Sequence, residues 1–197
     1  TADLARRYPA LPLVAAGFSL GGNFALRLAL QAPAAGIPLQ RVAAVCPVLD
    51  PGQTMDQLER GSGLYGRYFH RKWTASLRRK RALFPELMAH CDDQVLAQDL
   101  RGLTTWLASR YAGFATVQDY FDAYSVAGAR IAPLQVPASV LMAADDPVIP
   151  LASFQDWPLP AHSQLLISRW GGHCGFIENL HGDGWAEHWV CRQLQQI

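Results

Sequence analysis

Four short apolar runs along the chain have the length and composition of buried β-strands. They occupy residues 11–16, 41–49, 136–144 and 162–170. An apolar stretch with one charge, residues 23–30, follows the first run, and an amphipathic stretch, residues 185–197, closes the chain; both predict helices. A further short helix is expected near residues 151–156. Mainly apolar strands that alternate with helices indicate a parallel sheet covered by helices on both faces.

Residues 51–131 differ from the rest of the chain, because strand signals disappear and helical periodicity takes over. The same segment is rich in aromatic residues. We interpret it as a helical insertion that lies over the strand ends, that is, a cap. The chain then divides into a core, residues 1–50 and 132–197, and a cap, residues 51–131.

The composition of the 197-residue chain limits the class of protein to which it can belong. Hydrophobic residues make up 50% of the sequence and charged residues 17%, which excludes a disordered chain and allows one domain with a large core. The formal net charge is +1, so the whole protein has no electrostatic preference for nucleic acid. No apolar run approaches the ~20 residues that span a bilayer, so we expect no transmembrane segment.

One segment, residues 67–81, carries seven Lys and Arg residues and no acidic residue. A nucleic-acid surface is one interpretation, and it predicts an affinity that falls steeply with salt. Because the total charge is balanced, we favour a solvated helix face or a weak attraction to anionic lipid or acyl-CoA-like substrates. We therefore predict no nucleic-acid partner and at most a weak contact with a membrane surface.

The sequence Gly-x-Ser-x-Gly, residues 17–21, lies between the first predicted strand and the helix that follows it. In this context the motif forms a nucleophile elbow, a sharp turn that exposes its serine. Gly17 and Gly21 lack a Cβ atom, so we expect them to permit the turn and to leave Ser19 in a strained conformation. Ser19 would also stand near a helix N-terminus, where partial positive charge favours an oxyanion. The alternative is an ordinary serine in a glycine-rich turn.

Three predicted strand ends carry a serine, an acid and a histidine in that order, namely Ser19, Asp146 and His173. This is the order that the elbow motif predicts for an α/β-hydrolase. The carboxyl ends of parallel strands meet at one edge of a sheet, so loops distant in sequence can bring these side chains together. Ser19 would attack an acyl carbon, His173 would take and return the proton, and the aspartate would fix the imidazole tautomer.

The acid of this constellation is open among three aspartates. Asp146 heads an Asp-x-x-Ile-Pro pattern and is favoured over Asp145, which could equally cap the following helix. Asp50, at the end of the second predicted strand, is the third candidate, and its alternative role is to form a turn in Asp-Pro-Gly.

The other histidines indicate no metal site. His162, His181 and His188 lack ligand spacing of the His-Glu-x-x-His kind, so we predict no metal and no cofactor.

The four cysteines are widely spaced and form no Cys-x-x-Cys pair. They fit free thiols in a reducing compartment better than a disulfide framework, which predicts a cytoplasmic protein. Cys174 follows His173 directly, and we expect it to serve packing because Ser19 is better placed as a nucleophile. The cysteines are Cys46, Cys91, Cys174 and Cys191.

The chain resembles the YheT-like branch of the α/β-hydrolase superfamily, and the resemblance spans nearly its whole length. The matching stretches are residues 17–23, 113–121, 144–147 and 171–176, together with Tyr124 and Ser125. The resemblance implies the α/β-hydrolase fold with a helical cap and a serine esterase or lipase-like acyltransferase. The implied substrates are small-molecule acyl esters of medium-chain or lipid type, and no cofactor is implied.

The chain departs from the pattern of this branch in one respect. Members have a further amino-terminal half, which carries the first strands of the sheet and a His-Gly loop that supplies a second oxyanion donor. In this chain we expect only the N–H of Leu20, the residue after Ser19, to act as an oxyanion donor. Loss of one donor typically costs about 100- to 1,000-fold in turnover. The chain begins at Thr1 without an initiator methionine. We expect the missing residues to be supplied elsewhere or through an oligomeric contact, because the strand at residues 11–16 would otherwise be a bare apolar edge.

Two functions are consistent with these patterns. The first is a serine hydrolase that transfers an acyl group to water or an alcohol. The second is a catalytically impaired hydrolase-like module whose aromatic cap binds an apolar ligand or a protein partner.

Overall fold

The predicted strands form one four-stranded sheet in the computed structural model, which describes residues 1–61 and 63–196. The strands are β1 (Leu13–Phe18), β2 (Leu39–Val45), β3 (Ala138–Ala143) and β4 (Gln164–Ser168). Their order in the sheet is β1-β2-β3-β4, and each neighbouring pair is parallel, so the predicted parallel sheet is confirmed. Ser62 and Ile197, which fall in the predicted segments 51–131 and 132–197, lie outside the described residues.

The two central strands are apolar and buried. Every residue of β3 is buried, and so are the last four residues of β2. Runs of alanine, valine and leucine of this kind are typical of parallel strands that are covered on both faces. Strand β1 lies at one edge of the sheet, most of its residues are half-buried, and Leu11 just before it is exposed.

Helices lie before, between and after the strands along the chain. The helices are α1 (Ala2–Arg7), α2 (Leu20–Gln31), α3 (Pro51–Arg60), α4 (Leu64–Leu83), α5 (Asp93–Leu96), α6 (Leu100–Tyr111), α7 (Val117–Tyr124) and α8 (Trp185–Leu194). Helices α2 and α8 both pack on β1 and β2. The short helix expected near residues 151–156 is a 3₁₀ turn, Leu151–Phe154, and a second 3₁₀ turn spans Gly128–Ile131.

The chain divides into two compact units, Thr1–Asp50 with Tyr124–Ile197, and Pro51–Ala123. The segment predicted as a cap ends at residue 131, whereas residues 124–131 belong to the unit that contains the sheet. Hydrogen bonds explain this placement. The N–H of Val126 donates to the carbonyl of Leu49 at 2.8 Å, and Trp157 Nε1 donates to the carbonyl of Val126 at 3.0 Å.

The helical unit, Pro51–Ala123, has an apolar interior of its own. Leu77 of α4 and Leu103 of α6 are almost fully buried in one cluster, and Trp73 and Trp106 pack against it. A separate cluster joins α3, α6 and α7 through Met55, Leu100 and Phe121. These contacts account for the helical periodicity of this segment.

The turn between β1 and α2 is too tight for a side chain at its first glycine. A Cβ atom added at Gly17 would lie 2.1 Å from the carbonyl oxygen of Gly21, and one added at Gly22 would lie 3.0 Å from Pro47 Cβ. A Cβ atom at Gly21 would meet nothing within 4 Å. The structure therefore requires glycine at Gly17 and leaves little room at Gly22, whereas Gly21 is not needed for space. Ser19, in the middle of the turn, has φ 53° and ψ −119°, and residues with a side chain rarely adopt such a positive φ.

We expect Gly17→Ala to destabilise the protein and Gly21→Ala not to. The first substitution drives a methyl group into backbone and should cost about 3 kcal/mol or more in the free energy of unfolding. The second places alanine in the first turn of α2, in open space, and should be neutral or stabilising by up to about 1 kcal/mol. Urea unfolding followed by circular dichroism checks both variants, and equal destabilisation would contradict the prediction.

The buried cluster of the helical unit predicts a contrast between two leucines of α4. Leu77→Ala removes a side chain that is 2% exposed and should cost about 2–5 kcal/mol in the free energy of unfolding. Leu83→Ala removes a side chain that is 60% exposed and should change it by no more than about 0.5 kcal/mol. Denaturant unfolding followed by tryptophan fluorescence, to which Trp73 and Trp106 beside that cluster contribute, measures the difference.

Candidate active site

Three polar side chains that follow three strands meet at the carboxyl edge of the sheet. Ser19 follows β1, Asp146 follows β3, and His173 follows β4. Ser19 Oγ lies 2.9 Å from His173 Nε2. His173 Nδ1 lies 3.0 Å from Asp146 Oδ2 and 3.2 Å from Oδ1. The three side chains therefore form one continuous hydrogen-bonded series.

The backbone around Ser19 leaves its hydroxyl free to face His173. The Ser19 N–H donates to the carbonyl of Val45 at 2.8 Å, and its carbonyl accepts from the N–H groups of Asn23 and Val48. Serine at the residue before a helix commonly caps the helix with its side chain, but Ser19 makes no such hydrogen bond to α2. Its Oγ is thus available to the histidine.

Asp146 is held in a fixed orientation by the loop that follows it. Its side chain has no exposed surface. Oδ1 accepts hydrogen bonds from the N–H groups of Val148 at 2.8 Å and Ile149 at 3.0 Å. A buried carboxylate needs such donors, and His173 supplies a further one.

The partners of His173 define its tautomer. A carboxylate only accepts hydrogen bonds, so Nδ1 carries the proton and donates to Asp146, while Nε2 of the neutral ring accepts from the Ser19 hydroxyl. Burial of the ring lowers the pKa of His173. The hydrogen bond and the negative charge of Asp146, together with the nearby Cys174, outweigh burial, so this pKa lies above its ordinary value of 6.5.

The other two candidate acids lie elsewhere. Asp145 Oδ1 accepts a hydrogen bond from the N–H of Gly172 at 2.9 Å, so this exposed carboxylate contacts the backbone of the histidine loop and not the ring. Asp50 directly precedes α3. Both ring nitrogens of His173 are already engaged, by Ser19 and Asp146.

Leu20 is the first residue of α2, where a helix leaves its N–H groups without intrahelical partners. The helical hydrogen-bond pattern begins with the Asn23 N–H, which donates to the Ser19 carbonyl at 3.2 Å. The N–H groups before it, including that of Leu20, lie at the positive end of the helix dipole. This position suits a negatively charged oxygen.

Sequence analysis did not assign a role to Asn23, which is fully buried in α2. Its Nδ2 atom donates to the carbonyls of Val48 at 2.7 Å and Tyr124 at 2.8 Å. These bonds connect the helix that follows Ser19 to the loop after β2 and to the first residue of segment 124–131. The local signal was a polar residue near the start of a mainly apolar helix.

The three other histidines of the unit that contains the sheet do not join this series. His188 Nδ1 contacts Glu178 at 3.3 Å, and His162 and His181 are exposed. In the part of the chain that the structure describes, no group of three or more His, Cys, Asp or Glu side chains could hold a metal ion. No helix within residues 1–61 and 63–196 is both long enough and apolar enough to cross a membrane.

Comparison with known proteins supplies relatives at low identity. No family model matches the chain. It is 33% identical over 98 residues to an abhydrolase domain-containing protein of Dictyostelium discoideum, a match that covers 48% of this chain and 25% of that protein. It is 27% identical over 180 residues to the mouse phospholipase ABHD3, a match that covers 88% of this chain and 42% of that protein. The chain thus spans less than half the length of either curated relative.

Among solved structures, the chain is similar to MGS-MChE2, an α/β hydrolase enzyme from a sediment metagenome of the Mar Chica lagoon in Morocco. The TM-score is 0.52 at 17% identity, and the match covers 97% of this chain and 66% of the other. The chain therefore has the α/β-hydrolase fold, and the names of its relatives support a place in the α/β-hydrolase superfamily.

Proposed function

We propose that this protein is a serine hydrolase of carboxylic acyl esters, with Ser19 as nucleophile, His173 as general base and acid, and Asp146 as the acid that orients His173. The observation that carries the proposal is the unbroken series of hydrogen bonds from Ser19 Oγ through the imidazole to a fully buried carboxylate. Three residues so far apart in sequence meet in this geometry because their strands end at the same edge of the sheet.

The first half of the reaction would form an acyl-enzyme. Ser19 Oγ attacks the carbonyl carbon of the ester while His173 Nε2 takes the hydroxyl proton, which it reaches at 2.9 Å. The carbonyl oxygen becomes negative, and the N–H of Leu20 donates to it at the positive end of α2. His173 then gives the proton to the leaving alcohol.

The second half would release the acyl group. His173 Nε2 takes a proton from water, or from an acceptor alcohol, which attacks the acyl carbon, and the proton returns to Ser19 Oγ. Throughout, Asp146 accepts from Nδ1, so the ring keeps the tautomer in which Nε2 can act as a base, and its charged form is stabilised.

We assign the substrates to medium-chain or lipid-like acyl esters. The support is the resemblance to the YheT-like branch, the match to a mouse protein named as a phospholipase, and the aromatic content of the helical segment, which we propose as the cap. The free cysteines support a reducing, cytoplasmic location. An impaired module that only binds an apolar ligand is the competing function, and the labelling experiment below distinguishes the two.

The proposed nucleophile predicts covalent labelling by a fluorophosphonate, which reacts with activated serines. We expect one adduct, located at Ser19 by peptide mapping. Ser19→Ala should abolish it, and His173→Ala should slow it by roughly 1,000-fold or more, because the hydroxyl loses its base.

The matched control variants are Ser109→Ala and His162→Ala, which remove an exposed serine and an exposed histidine outside the site. Both should react with the fluorophosphonate at the rate of the parent protein. No adduct on the folded parent chain would favour the binding-module alternative.

The raised pKa of His173 predicts the pH dependence of this labelling. Nε2 accepts a proton only when the ring is neutral, so the rate should rise with pH and reach half its plateau above pH 6.5. In Asp146→Asn the contributions that raise this pKa are mostly lost and burial remains, so the midpoint should fall below 6.5 and the plateau should drop by roughly 10⁴-fold.

Asp145→Asn is the control for this measurement, since Asp145 contacts Gly172 and not the ring. Its midpoint should equal that of the parent protein. If Asp145→Asn, and not Asp146→Asn, shifted the midpoint, the assignment of the acid would be wrong.

A further inference from the structure

Two cysteines lie side by side next to the candidate active site. Cys46 directly follows β2, and Cys174 directly follows His173. The Cys46 thiol lies 3.9 Å from the carbonyl of Gly172, and the Cys174 thiol lies 3.9 Å from the carbonyl of Val45. Each thiol therefore contacts backbone within two residues of the other cysteine.

The two thiols differ in acidity and in access. Hydrogen bonding from the Cys46 thiol lowers the pKa of the Cys174 thiol. Burial and the charge of Asp146 oppose this effect, and the charge of His173 and the backbone of Ser19 add to it. The same hydrogen bond, with burial, raises the pKa of Cys46. Cys174 is half-buried and Cys46 is fully buried. Cys174 is thus the more acidic and the more accessible of the two thiols.

We propose that Cys46 and Cys174 are a peroxide-reactive dithiol site whose oxidation to a disulfide switches off Ser19 by displacing His173. The effect on Ser19 rests on the proposed function, whereas the formation of the disulfide does not. The pair is distinct from the other cysteines, since Cys91 lies in the apolar cluster of the helical unit and Cys191 is on α8.

The chemistry needs one hydrogen peroxide molecule. The Cys174 thiolate attacks one peroxide oxygen, an S–O bond forms, the O–O bond breaks, and the hydroxide that leaves takes up a proton to give water. The Cys46 thiol then loses its proton, and its sulfur attacks the sulfur of the Cys174 sulfenic acid. The S–S bond forms as the S–O bond breaks, and the second hydroxide leaves with that proton as water. Two thiols and one peroxide become a disulfide and two waters, and two electrons pass from sulfur to oxygen.

The disulfide would act on His173 through the short connection between them. An S–S bond is about 2.05 Å long, much shorter than any non-bonded contact between two sulfur atoms, so oxidation draws Cys174 toward the end of β2. His173 is the neighbouring residue, and Gly172 before it, with φ 54°, allows the loop to move. A displacement of about 1 Å between a nucleophile and its base costs roughly 100-fold in rate.

The test treats the folded chain with hydrogen peroxide and follows the cross-link and the fluorophosphonate reaction separately. We expect the intact mass to fall by two hydrogens, peptide mapping to locate a Cys46–Cys174 link, and the labelling rate of Ser19 to fall by at least tenfold. Dithiothreitol should restore the original mass and the original labelling rate.

Variants of the pair and of the other cysteines complete the design. In Cys174→Ala, the labelling rate of Ser19 should be the same before and after peroxide. Cys46→Ala should form no link and should leave a Cys174 sulfenic acid that dimedone traps; Cys46→Ser, which keeps a donor to the Gly172 carbonyl, replaces it if the alanine variant does not fold. Cys91→Ser and Cys191→Ser should respond as the parent protein does.

The outcomes separate this inference from the proposed function. A parent chain that labels at Ser19 but forms no Cys46–Cys174 link under peroxide overturns the dithiol site. Equal loss of labelling in Cys174→Ala and the parent protein overturns the switch. A chain that forms the link but never labels when reduced overturns the proposed function and the effect on Ser19, and it supports the dithiol site alone.

Discussion

The contact between the buried carboxylate of Asp146 and the ring of His173 is the constraint on which the arrangement of the site depends. A carboxylate without exposed surface must find donors inside the protein, and Val148 and Ile149 provide two from the loop that Asp146 begins. The histidine ring supplies a further donor, so its orientation is fixed by the loop after β3. Its second nitrogen then faces the turn after β1, where Ser19 is presented.

Much of this arrangement could be predicted from the sequence, because it follows from local patterns. Apolar runs predict strands, parallel strands end at one edge, and a glycine-flanked serine between a strand and a helix predicts the turn. The choice between Asp145 and Asp146 could not be made in this way, since both are short acids in the same loop. It depends on which carboxylate turns into the interior, and in the structure Asp145 contacts the Gly172 N–H while Asp146 contacts the ring.

What the sequence did not reveal depends on contacts between distant segments. Asn23 is one of several polar residues in α2, and its role is visible only when Val48 and Tyr124 are placed beside it. The return of residues 124–131 to the sheet depends on hydrogen bonds to Leu49 and Trp157, which leave no local pattern. Cys46 and Cys174 are likewise far apart in the sequence. They come together only because the loop after β4 lies against the end of β2.

The backbone of Ser19 has a consequence for the resistance of the protein to heat. A residue with a side chain at φ 53° carries strain of about 1–3 kcal/mol, which glycine would not carry. Ser19→Gly would therefore melt at a higher temperature than the native chain while lacking the hydroxyl that faces His173. Selection for thermal stability alone would favour the loss of that hydroxyl. Its presence at this position therefore reflects a requirement other than stability.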